Sequence, residues 1–449
     1  MRTHGYDDET QALSEAIERY VRRRIAEPQP LDGPRPADEL DRLAGPTLTP
    51  EGLGGAEALR LWAEVLAPAT ISTDDPGYMA FVPSAPTKAS VLFDLVISAS
   101  STYGGSWMEG AGAVWAENQV LDWLASLAGF PDGSGGAFVS GGTAGNLSAL
   151  VAARHAAETR RGRPPRWRIA CADTAHSSVA SSARVVDADV IAVPHDERGG
   201  LTGASLRAAL AQTDTDGLFA VVASAGSTNA GIVDDLAGIA DVCAEREVWM
   251  HVDGAYGGAA LLAPSVRPAF DGLERADSFI VDPHKWLFAP FDACALIYRD
   301  PAIAREAHRQ RASYLDTLNS GAEWNPSDYA HHLTRRARGL PLWFSLATYG
   351  TDAYRDAVET VLATTAAVAE EIRTRDELEL VIEPQLSVLL FRRRGWEPDD
   401  YETWWRRLLD EQVAFVQPTA WEGEKVARLC FVNPRTTLEH VRPVLEAMR

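Results

Sequence analysis

Between residues 137 and 300 the chain alternates short apolar runs with amphipathic stretches. Ala137-Phe-Val-Ser, Trp167-Arg-Ile-Ala-Cys, Val190-Ile-Ala-Val, Phe219-Ala-Val-Val-Ala, Val248-Trp-Met-His-Val, Phe279-Ile-Val and Ala295-Leu-Ile-Tyr are seven such runs. Their apolarity is continuous, not alternating, as in strands buried on both faces beneath helices. The pattern predicts an α/β fold with a mainly parallel seven-stranded sheet. Upstream, Ala12, Ile17, Tyr20 and Val21 recur at helical spacing over 10–24, and a Pro-rich stretch from Pro28 to Pro36 ends that run. A second helical run at about 55–67 leads into Pro76 to Pro86, where prolines favour an extended, turn-rich segment. After about 340 the pattern predicts a long helix, strands near 378–391 and 428–432, and helices near 401–412 and 437–447. The implied organisation is an N-terminal helical arm (1–75), a large α/β domain (76–340) and a small α+β C-terminal domain (341–449).

Composition narrows the function. With 449 residues, 46 % apolar and 23 % charged, the chain has ordinary globular composition and can bury a large core. Its 63 acidic and 42 basic side chains give a formal charge of −21, a field that repels phosphate backbones and anionic lipid heads. Nucleic acid and membrane are therefore not expected partners. No run approaches the roughly 18 to 20 apolar residues of a membrane span. The start, Met-Arg-Thr-His-Gly-Tyr-Asp-Asp-Glu, carries no apolar leader, so a cytoplasmic location is expected. Cys171, Cys243, Cys294 and Cys430 show no Cys-x-x-Cys spacing and read as reduced thiols.

Four motifs follow apolar runs. Ser140-Gly-Gly-Thr-Ala-Gly-Asn146 opens a helix at about Asn146, and its small residues leave backbone N–H groups free for an anion at the helix start. It lacks the Lys-Ser/Thr pair of a nucleotide P-loop, and by itself is equally a tight strand-to-helix turn. Ala175-His176-Ser-Ser places a histidine where ligands collect in open α/β sheets, or else caps a helix. No Gly-x-Ser-x-Gly elbow supports a serine hydrolase. His251-Val-Asp253 sets a carboxylate at a strand end, a position also common for turn and cap residues. As a metal pair it lacks a third ligand at recognisable spacing, and no metal is expected. Val281-Asp282-Pro283-His284-Lys285-Trp286 offers a lysine beside a histidine and a tryptophan, a setting expected to disfavour its ammonium form and so to favour imine formation. Alone, this too reads as a salt-bridged turn. Together, an anion-binding helix start, a histidine, a carboxylate and a nucleophilic lysine are four parts of a pyridoxal 5′-phosphate site.

In this order the motifs resemble the group II pyridoxal-phosphate-dependent amino-acid decarboxylases, which include aromatic-L-amino-acid and glutamate decarboxylases. The likeness runs from about Pro76 to Gly350 and is most specific at Asp282-Pro-His-Lys-Trp. It implies a fold-type I, aspartate-aminotransferase-like architecture and a homodimer with interface sites. By position, Lys285 resembles the lysine that carries the cofactor, Asp253 the partner of its ring nitrogen and His176 the histidine stacked on its ring. Gly142, Thr143 and His284 fall at phosphate-binding positions, Thr228 near the ring oxygen, and Tyr314 at a mobile-loop tyrosine that returns a proton. Phe81, Ser84, Tyr103 and Trp107 fall in the substrate region.

Asp282 departs from the asparagine common in aromatic-amino-acid decarboxylases. A carboxylate cannot donate to phosphate unless protonated, so cofactor contact and orientation of His284 are alternative roles for it. Val82 and Gly105 stand where those relatives carry more bulk, and Glu109 would suit a basic side chain. The expected reaction is decarboxylation of an L-amino acid, aromatic or bulky apolar by preference, to the amine and carbon dioxide. Rivals are aldehyde formation or transamination on the same scaffold, and a catalytically silent interaction protein. Aldehyde formation goes, in the family, with loss of the loop tyrosine or the stacking histidine, and Tyr314 and His176 are both present.

Overall fold

In the computed structural model, which describes residues 4–310, 312–313 and 323–449, all seven apolar runs lie in one sheet. The strands are β1 (Gly135–Val139), β2 (Trp167–Ala172), β3 (Ala188–Val193), β4 (Leu218–Ser224), β5 (Trp249–Asp253), β6 (Ser278–Val281) and β7 (Cys294–Tyr298). Their spatial order is β1-β7-β6-β5-β4-β2-β3, with β7 antiparallel to both neighbours and every other pairing parallel. The connection from β6 to β7 carries no helix, and without a crossover helix the chain returns antiparallel. All strands but β7 therefore point their carboxyl ends to the same edge of the sheet.

The first six helices in chain order are α1 (Asp8–Ala26), α2 (Ala37–Ala44), α3 (Gly55–Leu61), α4 (Lys88–Ser100), α5 (Trp107–Leu127) and α6 (Gly142–Arg161); α5 and α6 pack on the sheet, as do the later helices Ser177–Val185, Gly203–Gln212, Leu236–Arg246 and Pro301–His308. The two sheet faces bury separate cores. Phe138 packs with Val120, Leu121 and Leu124 of α5, whereas its neighbours Ala137 and Val139 pack with Ala149, Leu150 and Ala153 of α6. Such alternation is what a strand buried on both faces requires. Glycine lets α6 approach closely, since a Cβ on Gly145 would stand 2.8 Å from Cγ2 of Ile280 in β6.

A second sheet of β8 (Leu378–Leu380), β9 (Val388–Arg393), β10 (Thr419–Trp421) and β11 (Glu424–Cys430) is antiparallel, in order β10-β11-β9-β8. The helix Leu340–Arg373 runs beside it and buries Tyr354, Val358, Val361 and Val368. Helices α4 and α5 and strand β10 were not expected from the sequence. In α5, Gly110 takes a non-helical conformation and breaks the period that would have revealed it. The helix expected from about Asn146 starts at Gly142, four residues earlier. Among the described residues, no helix is long and apolar enough to cross a membrane.

One buried ion pair fixes the segment leading into α5. Both guanidinium ends of Arg335 meet the Glu117 carboxylate, at 2.6 and 2.7 Å, with each side chain only 1 % exposed. Glu117 also accepts from Gly339 N–H at 2.8 Å, and Arg335 donates to the Gly104 carbonyl. Breaking one side leaves a desolvated charge behind, so Glu117→Ala is expected to cost about 3–5 kcal/mol in urea unfolding. A double replacement of Glu117 and Arg335 by leucine and methionine should recover most of that loss. Equal losses in single and double variants would show that packing, not charge, dominates there.

Candidate active site

The common edge gathers the loops after five strands. Ser140 to Thr143 follow β1, His176 follows β2, Gly226 to Thr228 follow β4, Asp253 ends β5, and Asp282 to Lys285 follow β6. With Phe291 and Asp292 they line a cavity of about 320 Å³. Carboxyl strand ends are where open α/β sheets bind ligands, and here register makes the convergence possible. Asp253 pairs with Ser224 of β4 and with Ile280 of β6, so three loops leave the sheet at one level.

Lys285 reaches the cavity from the turn after β6, and its Nζ lies 2.9 Å from Asp282 Oδ2. Burial pushes the ammonium toward losing its proton, but attraction and hydrogen bonding to Asp282, with Asp253 behind it, outweigh that and hold its pKa above the ordinary lysine value. The sequence expectation that the ammonium form is disfavoured is corrected by this contact. Trp286 does not face Lys285; it is fully buried and stacks on Tyr256, centroids 5.4 Å apart. Asp282 is 2 % exposed, and its other oxygen, Oδ1, has no hydrogen-bond partner.

His284 is oriented by the backbone. Its Nδ1 meets the Ala293 carbonyl oxygen at 2.7 Å and the Ala293 N–H at 3.2 Å, and its Nε2 stands 3.8 Å from Asp282 Oδ2. Orientation by Ala293 leaves Asp282 engaged chiefly with Lys285. Across the cavity α6 begins at Gly142 without a side-chain cap at Gly141. Gly142 N–H makes only a 3.3 Å contact to Asp282 Oδ2, and a Cβ at Gly142 would come within 3.2 Å of that oxygen. Residues 141–143 thus form a bare, positively polarised helix start open to an anion.

Asp253 is 9 % exposed, with Oδ1 accepting from Ala255 N–H at 3.1 Å and Oδ2 from Asn146 Nδ2 at 2.8 Å. Thr228 keeps its place because its carbonyl accepts from Arg428 at 2.6 Å. The eight residues expected at a cofactor, Gly142, Thr143, His176, Thr228, Asp253, Asp282, His284 and Lys285, all line this one cavity.

The expected substrate residues do not line it. Phe81 sits at positive φ, more than half exposed and edge-on to Phe415; Ser84 is buried and donates to the Ala289 carbonyl. Tyr103 donates to the Leu333 carbonyl, and Trp107 begins α5 with its N–H on Asn325. Glu109 accepts from Ser106 at 2.8 Å in the cap of α5. Tyr314 lies outside the described residues.

The sequence reading also passed over Asn146, Ser178, His251 and Ser278 as a connected group. The signal was present: Asn146 is a polar residue on the α6 face that otherwise presents Ala149, Leu150 and Ala153 to the sheet. An amide on an apolar stripe needs buried partners.

Comparison with known proteins agrees with this geometry. The family described as the pyridoxal-dependent decarboxylase conserved domain matches residues 59–394. The chain is 32 % identical over 386 residues to an aromatic-L-amino-acid decarboxylase of Bacillus atrophaeus, covering 83 % of this chain and 80 % of the relative. It is 33 % identical over 429 residues to an L-2,4-diaminobutyrate decarboxylase of Rhizobium meliloti, covering 92 % and 84 %. Among solved structures, Oryza sativa TDC with PLP and tryptamine superposes with a TM-score of 0.89 at 26 % identity, over 100 % of this chain and 98 % of that one.

Proposed function

This chain belongs to the family of pyridoxal-dependent decarboxylases, enzymes that act as lyases on amino acids with pyridoxal phosphate, and within it we propose a decarboxylase of aromatic or bulky apolar L-amino acids that yields the amine. The observation that carries the substrate class is the charge state of the cavity wall. Three carboxylates line it, and each is already engaged: Asp253 by Asn146, Asp282 by Lys285, and Asp292 by Arg338 at 2.8 Å. Among the described residues, Lys285 is the only Lys or Arg lining the cavity. Among the described residues of the wall an acidic side chain would find no spare cation, and a basic one would have to compete with Asn146, Lys285 and Arg338 for carboxylates already held. Phe291, 54 % exposed at the cavity rim, offers apolar surface instead.

The residues suit the cofactor. Asp253 presents a carboxylate held on both oxygens, the uncapped start of α6 offers N–H groups to a phosphate, and Lys285 is the one amine among the described residues lining the cavity. When bound, pyridoxal phosphate supplies an electron sink for the pair left on the α-carbon as carbon dioxide departs. In this proposal Lys285 anchors the cofactor covalently, and Asp282 Oδ2 takes the proton that its ammonium must lose first. Asp253, held on both oxygens, keeps a proton on the ring nitrogen. Gly142, Thr143 and His284 face the phosphate, Thr228 the ring oxygen and His176 the ring. Tyr314 is proposed, from sequence position alone, as the proton donor to the α-carbon, and Phe81, Ser84, Tyr103 and Trp107 as substrate contacts.

None of those last four lines the cavity formed by one chain, which supports a homodimer whose second copy completes the site. An exposed apolar stripe of Leu92, Leu95 and Val96 on α4, with Met108 exposed at the start of α5, supports the same reading.

The test is carbon dioxide release, amine yield and oxygen uptake across a panel of L-amino acids with the cofactor-loaded protein. Tryptophan, tyrosine, phenylalanine and leucine are expected to exceed 2,4-diaminobutyrate, histidine and glutamate by at least about 10-fold in kcat/KM. Amine should accompany carbon dioxide without oxygen consumption. Preference for 2,4-diaminobutyrate would overturn the substrate class, and oxygen uptake matching turnover would replace amine formation with aldehyde formation.

A further inference from the structure

A chain of buried side chains runs from behind the cavity into its wall and ends on Asp253. Trp249 Nε1 donates to Ser278 Oγ at 2.9 Å, Ser278 meets His251 Nδ1 at 2.8 Å, and His251 Nε2 meets Asn146 Oδ1 at 2.8 Å. The amide nitrogen of Asn146 then donates both to Asp253 Oδ2, at 2.8 Å, and to Ser178 Oγ, at 2.9 Å. Ser178 in turn contacts His176 Nδ1 twice, through its hydroxyl at 2.8 Å and its backbone N–H at 3.3 Å. Asn146, Ser178, His251 and Ser278 are all at most 4 % exposed.

Chemistry allows one orientation for every proton in this chain. A carboxylate only accepts, so the Asn146 amide must turn its nitrogen to Asp253 and its oxygen to His251. His251 therefore carries its proton on Nε2, and its Nδ1 accepts from the Ser278 hydroxyl. Burial pushes the His251 pKa down to about 4, against the pull of Asp253, which agrees with a neutral ring. On the other branch the Ser178 backbone N–H can only donate, so His176 Nδ1 accepts. The His176 proton is left on Nε2, the nitrogen free of these two contacts.

We propose that Asn146 is a positioning residue for the decarboxylation reaction: through one amide it directs the donors of a buried chain onto Asp253 and, through Ser178, fixes the tautomer of His176. The inference rests on the proposed roles of Asp253 and His176 toward the cofactor. Asn146 stands in the cavity wall beside Asp253, and in this scheme it acts through Asp253 and Ser178 and not on the reacting atoms. It sets Asp253 and His176 relative to each other and to the start of α6, of which Asn146 is the fifth residue. Because hydrogen bonds in series polarise one another, losing the amide weakens the whole chain at Asp253, not one contact.

The test uses the full-length protein and pyridoxal phosphate itself, with affinity read from tryptophan emission and orientation from the visible circular dichroism of the bound cofactor. Asn146→Ala is expected to weaken cofactor binding by about 10- to 100-fold, the range for a hydrogen bond to a charged group, and to change the dichroic band. On an Asp253→Asn background the same substitution should change affinity by less than about 3-fold, since the charged acceptor is already gone. A purely structural role would give equal losses on both backgrounds. Should Asn146→Ala not fold, the near-isosteric Asn146→Leu carries the same two measurements, because it keeps the volume, cannot donate to Asp253 or Ser178 and adds no charge beside Asp253. Unchanged affinity and dichroism, or equal effects on both backgrounds, overturns the inference. A wild-type protein that takes up no cofactor on Lys285 overturns the proposed roles themselves, a result distinct from a silent Asn146 variant.

Discussion

Lys285→Ala is expected to abolish the covalent link to pyridoxal phosphate altogether. The chain has only three lysines, Lys88, Lys285 and Lys425. Lys88 lies 3.9 Å from Asp74, and Lys425 is held 2.7 Å from Glu402 beside the second sheet; neither lines the cavity. Borohydride reduction of the wild type followed by peptide mapping should therefore place the pyridoxyl group on Lys285 alone, and the variant should carry none. Decarboxylation should fall by more than the roughly 10²- to 10⁴-fold associated with one acid–base group, because anchoring and proton transfer are lost together. The substitution also leaves Asp282 buried without its ammonium, and that alone is destabilising. Lys285→Ala combined with Asp282→Asn separates the two effects: it should regain stability without regaining the link. A pyridoxyl group on Lys88 or Lys425 of the wild type would move the site elsewhere.

The lattice of strands was legible because burial on both faces writes itself as continuous apolar runs, and each of the seven runs became a strand. The placement of Gly142, His176, Asp253 and Lys285 was legible for a related reason: each follows such a run, and strands running the same way deliver their ends to one edge. What the sequence hid depends on partners distant in the chain. The contact of Asp282 with Lys285 is set by the turn after β6, and it reverses the inference that a desolvated lysine there would lose its proton. Asn146 and Asp253 are separated by 107 residues, and only the packing of α6 across β5 and β6 brings them together. Helix α5 escaped notice because Gly110 and Gly112 blur its period, although its buried face, Val114, Val120, Leu121 and Leu124, closes one side of the sheet. Phe81, Ser84, Tyr103 and Trp107 were grouped by resemblance, and a single chain does not bring them to the cavity.

Asp253→Asn tests the other half of the site with almost no change of shape. The Asn146 and Ala255 N–H groups that point at Asp253 are both donors, so an amide at 253 can satisfy at most one on its oxygen while its own NH₂ faces the other. The Asn146 amide could flip to accept that NH₂, but its nitrogen would then meet His251 Nε2, and the proton order would have to reverse back to Ser278. Ser278 Oγ also accepts from Trp249, a donor that cannot reverse, yet its hydroxyl proton and the His251 tautomer can both rearrange. The fold should therefore survive, with a loss of about 1–3 kcal/mol from an imperfectly paired buried group. Function should not survive so well. A neutral amide cannot hold a proton on the ring nitrogen against its tendency to leave, and the electron sink weakens just when charge develops at the α-carbon. Turnover is expected to drop by more than about 10⁴-fold while borohydride still fixes the cofactor to Lys285, a separation of binding from chemistry that no general unfolding would give. Near-normal carbon dioxide release by a folded Asp253→Asn protein would remove Asp253 from the cofactor, and with it the reason for the buried chain behind it.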